Sequence, residues 1–104
     1  MEKIVKQGLL YDFYGALLNE HQRSIYEAFV YDNMSLSEIA TDQGVSRQGV
    51  HDLIKRCDKT LEDYENKLHL VDKFLAIKED VSLIEQKAND EEIKKLAGKI
   101  LELV

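Results

Sequence analysis

The sequence predicts an all-α fold that contains a helix-turn-helix, an extended second helix of that motif and amphipathic helices towards the C-terminus. Three observations lead there. The 104 residues include no proline, they contain no alternating apolar and polar run of strand length, and their apolar side chains recur at helical spacing. A chain of this length forms one domain, or one small domain with an appendage, and buries only a modest core.

The first two predicted helices lie before the helix-turn-helix. Helix one is expected at about residues 2–17, with Ile4, Val5, Leu9, Leu10, Phe13, Tyr14 and Leu17 on its apolar face. Asn19 is expected to cap helix two, and Gln22, three residues later, completes a capping box. This second helix should end near residues 32–33.

Residues 36–55 have the pattern of a complete helix-turn-helix. A capping box of Ser35 and Glu38 should open its first helix, at about residues 36–42. Ala40 is small enough for two crossing helices to approach closely, and Gly44 can adopt the positive φ of the sharp turn. Ser46 is then expected to cap the second helix, whose first apolar residue is Val50.

The second helix of this motif is predicted to extend far beyond it. At 100° per residue, one apolar stripe lies within about 60° of the direction of Val50 and consists of Leu53, Ile54, Cys57, Leu61, Tyr64, Leu68, Val71 and Leu75. A continuous helix over about residues 46–78 would be roughly 50 Å long, too long for the small core to cover. The alternative is a break near residues 66–69. Ser82 and Glu85 are expected to form a third capping box that starts a further helix, with a kink or new start at residues 89–90.

The apolar side chains of this distal region predict association. A stripe longer than 25 residues is typical of coiled coils or helix bundles, and we therefore expect a homodimer. We therefore predict two parts of the chain, a helix-turn-helix DNA-binding domain at residues 1–60 and a helical extension at residues 61–104. The residues expected to serve dimerisation or packing are Leu61, Tyr64, Leu68, Val71, Leu75, Ile93, Leu96 and Ile100.

The charge distribution restricts any contact with nucleic acid to a short segment. The net charge is −6, with −4 in residues 1–45, +2 in residues 46–59 and −4 in residues 60–104. The only basic segment is therefore the predicted recognition helix, and its surplus of positive charge is small.

The recognition helix supplies the candidate nucleic-acid contacts. Ser46 and Arg47 lie at its positively polarised N-terminus, which suits a phosphate. Gln48 could pair with adenine, or Arg47 with guanine, whereas Asp52 could accept from cytosine or repel the backbone. The remaining basic residues are interpreted as phosphate contacts. The full candidate set is Ser46, Arg47, Gln48, His51, Asp52, Lys55, Arg56 and Lys59.

Other chemistry has little support in the sequence. The three histidines and Cys57 show no zinc-site spacing, and no phosphate loop or catalytic motif is present, so we expect neither a metal, a cofactor nor an enzyme. A lone cysteine fits a cytoplasmic protein. No apolar run has the length of a signal peptide or of the roughly 18 residues of a membrane span, so we expect no membrane insertion.

Two levels of resemblance follow from these motifs. Residues 36–40, 44–50 and 54–56 resemble the region-four helix-turn-helix of bacterial sigma factors. More closely, residues 14–23, the helix-turn-helix and residues 61–70 resemble the YlxM-like family of small bacterial helix-turn-helix proteins, although Ala16 departs from the Pro or Ser of that family. The resemblance covers about residues 4–75. It implies an all-helical, cytoplasmic DNA-binding regulator with a role in the signal recognition particle pathway.

Two hypotheses about function remain open at this stage. In the first, a dimer binds DNA through the recognition helix. In the second, the chain is a protein- or RNA-interaction module that acts on the signal recognition particle or its receptor. The acidic balance and the long apolar stripe favour the second hypothesis, and the basic segment favours the first.

Overall fold

A computed structural model describes residues 1–104 and confirms the all-α prediction. The chain forms six α-helices and one short 3-10 turn, with no strand. In chain order these are α1 Lys3–Tyr14, the 3-10 turn Gly15–Leu17, α2 Glu20–Val30, α3 Leu36–Gln43, α4 Arg47–Leu68, α5 Leu70–Lys87 and α6 Glu91–Leu103.

The first helix is shorter than expected and uses a different face. A Cβ on Gly15 would lie 2.6 Å from an atom of the Tyr11 ring, so only glycine permits this close approach, and the chain continues as a 3-10 turn. Leu10 and Tyr14 are buried as expected, but Ile4, Val5 and Leu17 are exposed. Gln7 and Tyr11 are buried in their place. The buried residues of α1 therefore follow the spacing 7, 10, 11, 14, which is a regular helical face.

Both predicted capping boxes before the motif are confirmed. The Asn19 side chain accepts from the Gln22 amide at 2.8 Å, and the Gln22 side chain accepts from the Asn19 amide at 3.0 Å. Ser35 and Glu38 make the equivalent pair of bonds at 3.1 Å each. Helix α2 ends at Val30, slightly before the expected position. The starts of α2 and α3 are therefore determined by local sequence.

The continuous helix over residues 46–78 was a wrong prediction, and the alternative break near residues 66–69 is confirmed. Helix α4 ends at Leu68, because His69 adopts a left-handed conformation with φ 56° and ψ 28°. A left-handed residue cannot continue a right-handed helix. Helix α5 then begins at Leu70, and the Lys73 amide donates to the His69 carbonyl at 3.0 Å.

The third predicted capping box is also wrong. Ser82 lies inside α5, whose helical bonds continue to Lys87, so no helix begins there. The new start expected at residues 89–90 is confirmed, because Asp90 caps α6 by accepting from the Glu92 amide at 2.8 Å. A serine followed three residues later by a glutamate can therefore also lie inside a continuous helix, as Ser82 and Glu85 do in α5.

The chain divides into two compact units, Met1–Leu68 and His69–Val104. The core of the first is built from α1, α2, α3 and α4, and its fully buried side chains include Tyr14, Ile25, Tyr26, Ile39, Val50, Cys57 and Leu61. The second consists of α5 and α6, and its buried apolar residues are Val71, Val81 and Ala97. The functional division at residues 60 and 61 stays a prediction.

The length and polarity of the helices determine whether any of them could span a membrane. None of the six combines the length and the apolar character that crossing a bilayer requires.

Candidate nucleic-acid interface

The first helix of the helix-turn-helix is α3, and a sharp turn follows it. Ile39 and Ala40 are buried, and α3 packs against α4. Gly44 has φ 68° and ψ 32°, the left-handed conformation that glycine adopts without a Cβ penalty. The Val45 amide then donates to the Ala40 carbonyl at 3.0 Å. This bond closes the turn and directs the chain into α4.

Helix α4 begins as the sequence predicts. The Ser46 hydroxyl accepts from the Gly49 amide at 2.9 Å, so Ser46 is the cap of this helix. The inner face of α4 is buried and packs in the core; its members are Val50, Leu53, Ile54, Cys57 and Leu61. The helix is therefore held by its apolar side, and its opposite side is presented to solvent.

The candidate nucleic-acid residues occupy that opposite side, here called the outer face. It consists of Ser46, Arg47, Gln48, His51, Asp52, Lys55, Arg56 and Lys59. Seven of the eight are exposed and His51 is half-buried. None of them contributes to the core, so the whole set is accessible to a partner.

Three members of the outer face contact one another. The side-chain amide of Gln48 donates to Oδ1 of Asp52 at 2.9 Å, and Nδ1 of His51 lies 3.4 Å from the same oxygen. The bond from Gln48, followed by the one from His51, holds the pKa of Asp52 below its usual range. Asp52 is therefore ionised at neutral pH and engages two other members of the candidate set, Gln48 and His51.

The cations of the outer face are differently engaged. Arg47, Lys55 and Arg56 form no ion pair in the structure, and Lys59 lies 3.8 Å from Asp63 with its side chain 80% exposed. Exposed pairs of this kind contribute about 0–1 kcal/mol, so Lys59 can exchange its partner at little cost. Four positive charges are thus available to a polyanion.

A part-buried polar cluster behind this face was not predicted from the sequence. Gln7, on α1, donates to both carboxylate oxygens of Asp58 at 3.0 and 3.2 Å. Tyr26, on α2 and fully buried, donates to Oδ1 of Asp58 at 2.5 Å. In the sequence, Asp58 is only one of the charges counted in the net charge of residues 46–59. Its angular position, about 80° from Val50, was the available signal that it faces the neighbouring helices rather than the outer face.

A second polar contact fixes the distal part of α4. The hydroxyl of Tyr14, on α1, donates to Oε1 of Glu65 at 2.6 Å. The Tyr14 ring also stacks on Tyr64 with 5.8 Å between ring centroids. Tyr64 and the fully buried Leu61 therefore pack within the first unit.

The other residues expected to dimerise or pack differ in exposure. Val71 is buried and Leu75 is half-buried in the second unit. Leu68, Ile93, Leu96 and Ile100 are exposed, by 46%, 47%, 54% and 41% respectively. The exposed members on α6 are available to a partner, whereas Leu61 is not.

This architecture defines a class of protein, the helix-turn-helix proteins. A model of the family described as "Putative helix-turn-helix protein, YlxM / p13 like" matches residues 1–100. The chain belongs to this UPF0122 family of YlxM-like helix-turn-helix proteins. The resemblance to the YlxM-like family inferred from the sequence is thereby confirmed.

Individual relatives cover most of the chain. A UPF0122 protein of Anoxybacillus flavithermus is 44% identical over 108 residues, which span 99% of this chain and 96% of that protein. One from Thermoanaerobacter sp. (strain X514) is 42% identical over 99 residues, covering 88% and 85%. One from Clostridium botulinum (strain Alaska E43 / Type E3) is 51% identical over 75 residues, covering 72% and 69%.

Proposed function

We propose that this chain is a cytoplasmic, non-enzymatic regulatory protein that binds duplex DNA with the outer face of α4. One observation carries the proposal: a capped helix-turn-helix presents its only basic segment on the solvent side of its second helix, with Arg47, Lys55 and Arg56 outside any ion pair. In such proteins the second helix enters the major groove, with its N-terminal residues at the base edges. The family and its helix-turn-helix support a nucleic-acid partner.

The residues of the outer face have different proposed roles. Ser46 and Arg47, at the start of α4, bind a phosphate with the help of the helix dipole. Lys55, Arg56 and Lys59 contact other phosphates and provide affinity without sequence information. These contacts orient the helix, and the base edges are left to other residues of its first two turns.

Base recognition is assigned to the triad of Gln48, His51 and Asp52. Gln48 can form two hydrogen bonds with adenine, but only if it leaves the Asp52 carboxylate that it now contacts at 2.9 Å. Asp52 can instead accept from a cytosine amino group while Gln48 stays in place. In either case Asp52 lowers the general affinity for a polyanion and restricts which sequences are bound.

We also propose a homodimer formed through the second unit. Its exposed apolar residues include Ile93, Leu96 and Ile100, which follow one another at helical spacing on α6. A dimer of this kind would present two α4 helices to half-sites about 34 Å apart or a multiple of that distance. Ile100→Asp should shift sedimentation towards the monomer, whereas Gln86→Asp, which adds the same charge at an exposed position of α5, should not. A stable monomer in the unmodified protein would rule out the dimer.

A second candidate function is a protein- or RNA-interaction module that modulates the signal recognition particle or its receptor. Two observations favour it: the net charge of −6, which opposes general DNA binding, and the exposed apolar face of α6. In this case the outer face would contact RNA or a protein surface.

A salt titration tests the first function against the second. Three or four phosphate contacts predict a log–log slope of about −3 to −4 for the affinity towards a generic DNA duplex. No binding of the duplex at about 50 mM salt would overturn the DNA proposal. Tighter binding of an RNA hairpin of equal length, measured in parallel, would favour the second candidate.

A further inference from the structure

The first unit contains a groove that borders the outer face and shares His51 and Lys55 with it. Its volume is about 270 Å³, and α1, α2, α3 and α4 all contribute to its walls. The walls are mainly apolar and are formed by Ile4, Phe29, Leu36 and Ile54. Small-molecule sites have this character, mostly apolar with a few convergent polar groups, and typically measure about 300–1,000 Å³. This groove lies just below that range and therefore suits only a small ligand.

Charged groups on the groove wall limit the chemistry of that ligand. Lys3, from α1, and Lys55, from α4, both line the groove, are exposed and form no ion pair in the structure. Asp58 also lines it, but its carboxylate already accepts the bonds from Gln7 and Tyr26. Two lysines and one aspartate leave a surplus of one positive charge, and His51, which also lines the groove, lies 3.4 Å from Asp52 of the outer face.

We propose that this groove binds a small monocarboxylic acid with a short unbranched apolar tail. The tail would lie against Ile4 and Ile54, and the carboxylate would bind between the ammonium groups of Lys3 and Lys55. A cation would face a wall with a surplus of positive charge. Inorganic phosphate would leave the apolar walls in contact with water, so both are poorer occupants than an amphiphilic anion.

Octanoate is the probe that tests this proposal, and octanol is its uncharged control. Octanoate should shift the methyl resonances of Ile4, Leu36 and Ile54 in a saturable manner, and octanol should bind at least about fivefold more weakly. Equal affinity for acid and alcohol, or shifts that never saturate, would overturn the proposal.

Charge-removing variants locate the carboxylate. Lys3→Gln and Lys55→Gln should each weaken octanoate binding by about fivefold, as expected for loss of one ion pair of about 1 kcal/mol. Lys73→Gln, at an exposed position of α5 outside the groove, should leave the affinity unchanged. Because all three lysines are exposed, we expect each of these variants to fold normally. Unchanged octanoate affinity in both groove variants would contradict the assignment.

A regulatory consequence follows, and it rests on the proposed function. Lys55 belongs both to the groove and to the outer face, so a bound carboxylate should compete with a DNA phosphate for its ammonium group. Saturating octanoate should weaken duplex binding about as much as Lys55→Gln does, and should have no further effect on that variant. If the protein binds no DNA, the proposed function fails. The octanoate titration of the methyl resonances still tests whether the groove binds a carboxylic acid. Undiminished DNA affinity at saturating octanoate would overturn the competition.

Discussion

Tyr26 donates its phenolic hydrogen to Oδ1 of Asp58 at 2.5 Å, and this bond links α2 to the helix that carries the candidate nucleic-acid interface. Gln7 of α1 donates to the same carboxylate, so two helices hold α4 from its inner side. Burial, followed by the bond to Asp58, raises the pKa of Tyr26 well above its ordinary value. Tyr26 therefore stays protonated and able to donate throughout the neutral range.

Removing the acceptor of this cluster should destabilise the first unit. Asp58→Ala leaves the Tyr26 hydroxyl and the Gln7 amide without their acceptor, and each buried unsatisfied group costs about 1–3 kcal/mol. We expect a loss of about 2–4 kcal/mol in the free energy of unfolding, measured by urea denaturation. The control Asp63→Ala, exposed on the same helix, should change stability by less than about 0.5–1 kcal/mol. Equal effects of the two variants would contradict the structural role of Asp58.

The turn of the motif should be sensitive to a single methyl group. Gly44→Ala meets no atom within 4 Å, so its cost comes only from the backbone conformation at φ 68°. A left-handed alanine costs about 1–2 kcal/mol, and we expect that loss in the free energy of unfolding. Gly8→Ala is the matched control. Gly8 lies inside α1, and the new Cβ would be 3.7 Å from the Val30 side chain, an ordinary contact, so the free energy of unfolding should rise by up to about 1 kcal/mol. Changes of the same sign in the two variants would contradict this account of the turn.

Asp52 should oppose the binding of DNA. Asp52→Asn removes the negative charge from the outer face but keeps an oxygen that can accept from Gln48. If Asp52 faces the phosphate backbone, affinity for a generic duplex should rise about two- to fivefold, as expected for the removal of one repulsive contact of about 0.5–1 kcal/mol. Glu79→Gln, an exposed site on α5, makes the same change in net charge and should have less effect. Weaker binding by Asp52→Asn would indicate instead that the carboxylate contacts a base.

The buried cysteine gives the first unit a dependence on alkaline pH. Burial raises the pKa of the Cys57 thiol from 9.0 to about 11. Because the folded-state pKa lies above the unfolded one, the thiol contributes stability in full below pH 9.0, and this contribution is lost as the pH rises towards about 11. The free energy of unfolding should fall over this window, by about 1–3 kcal/mol from this group. Cys57→Ala should fall less steeply between the same pH values, and an identical slope would contradict the shifted pKa.

Local sequence determined some parts of this fold more completely than others. The capping boxes at Asn19 and Ser35 and the turn at Gly44 depend on neighbours within four residues, so their spacing predicted them. The break at His69 had only a weak local signal, because residues 66–69 contain neither glycine nor proline. The left-handed conformation of His69 is therefore not one that its local sequence predicts.

The same distinction applies to the candidate site. The outer face followed from helical geometry once the inner apolar stripe of α4 was known. The cluster of Gln7, Tyr26 and Asp58 joins residues separated by 32 and 51 positions, and helical periodicity does not predict which polar residues will meet across such distances. The groove beside Lys3 depends in the same way on how four helices pack.

The most direct test of the central claim is the affinity of Lys55→Glu with Arg56→Glu for duplex DNA at fixed salt. The matched control is Lys95→Glu with Lys99→Glu on α6, which makes the same change in net charge away from the outer face. We predict a loss of at least about 30-fold for the α4 variant, because two phosphate contacts become repulsive, and of less than about threefold for the control. Equal losses in the two variants, or unchanged affinity of the α4 variant, would contradict DNA binding by the outer face.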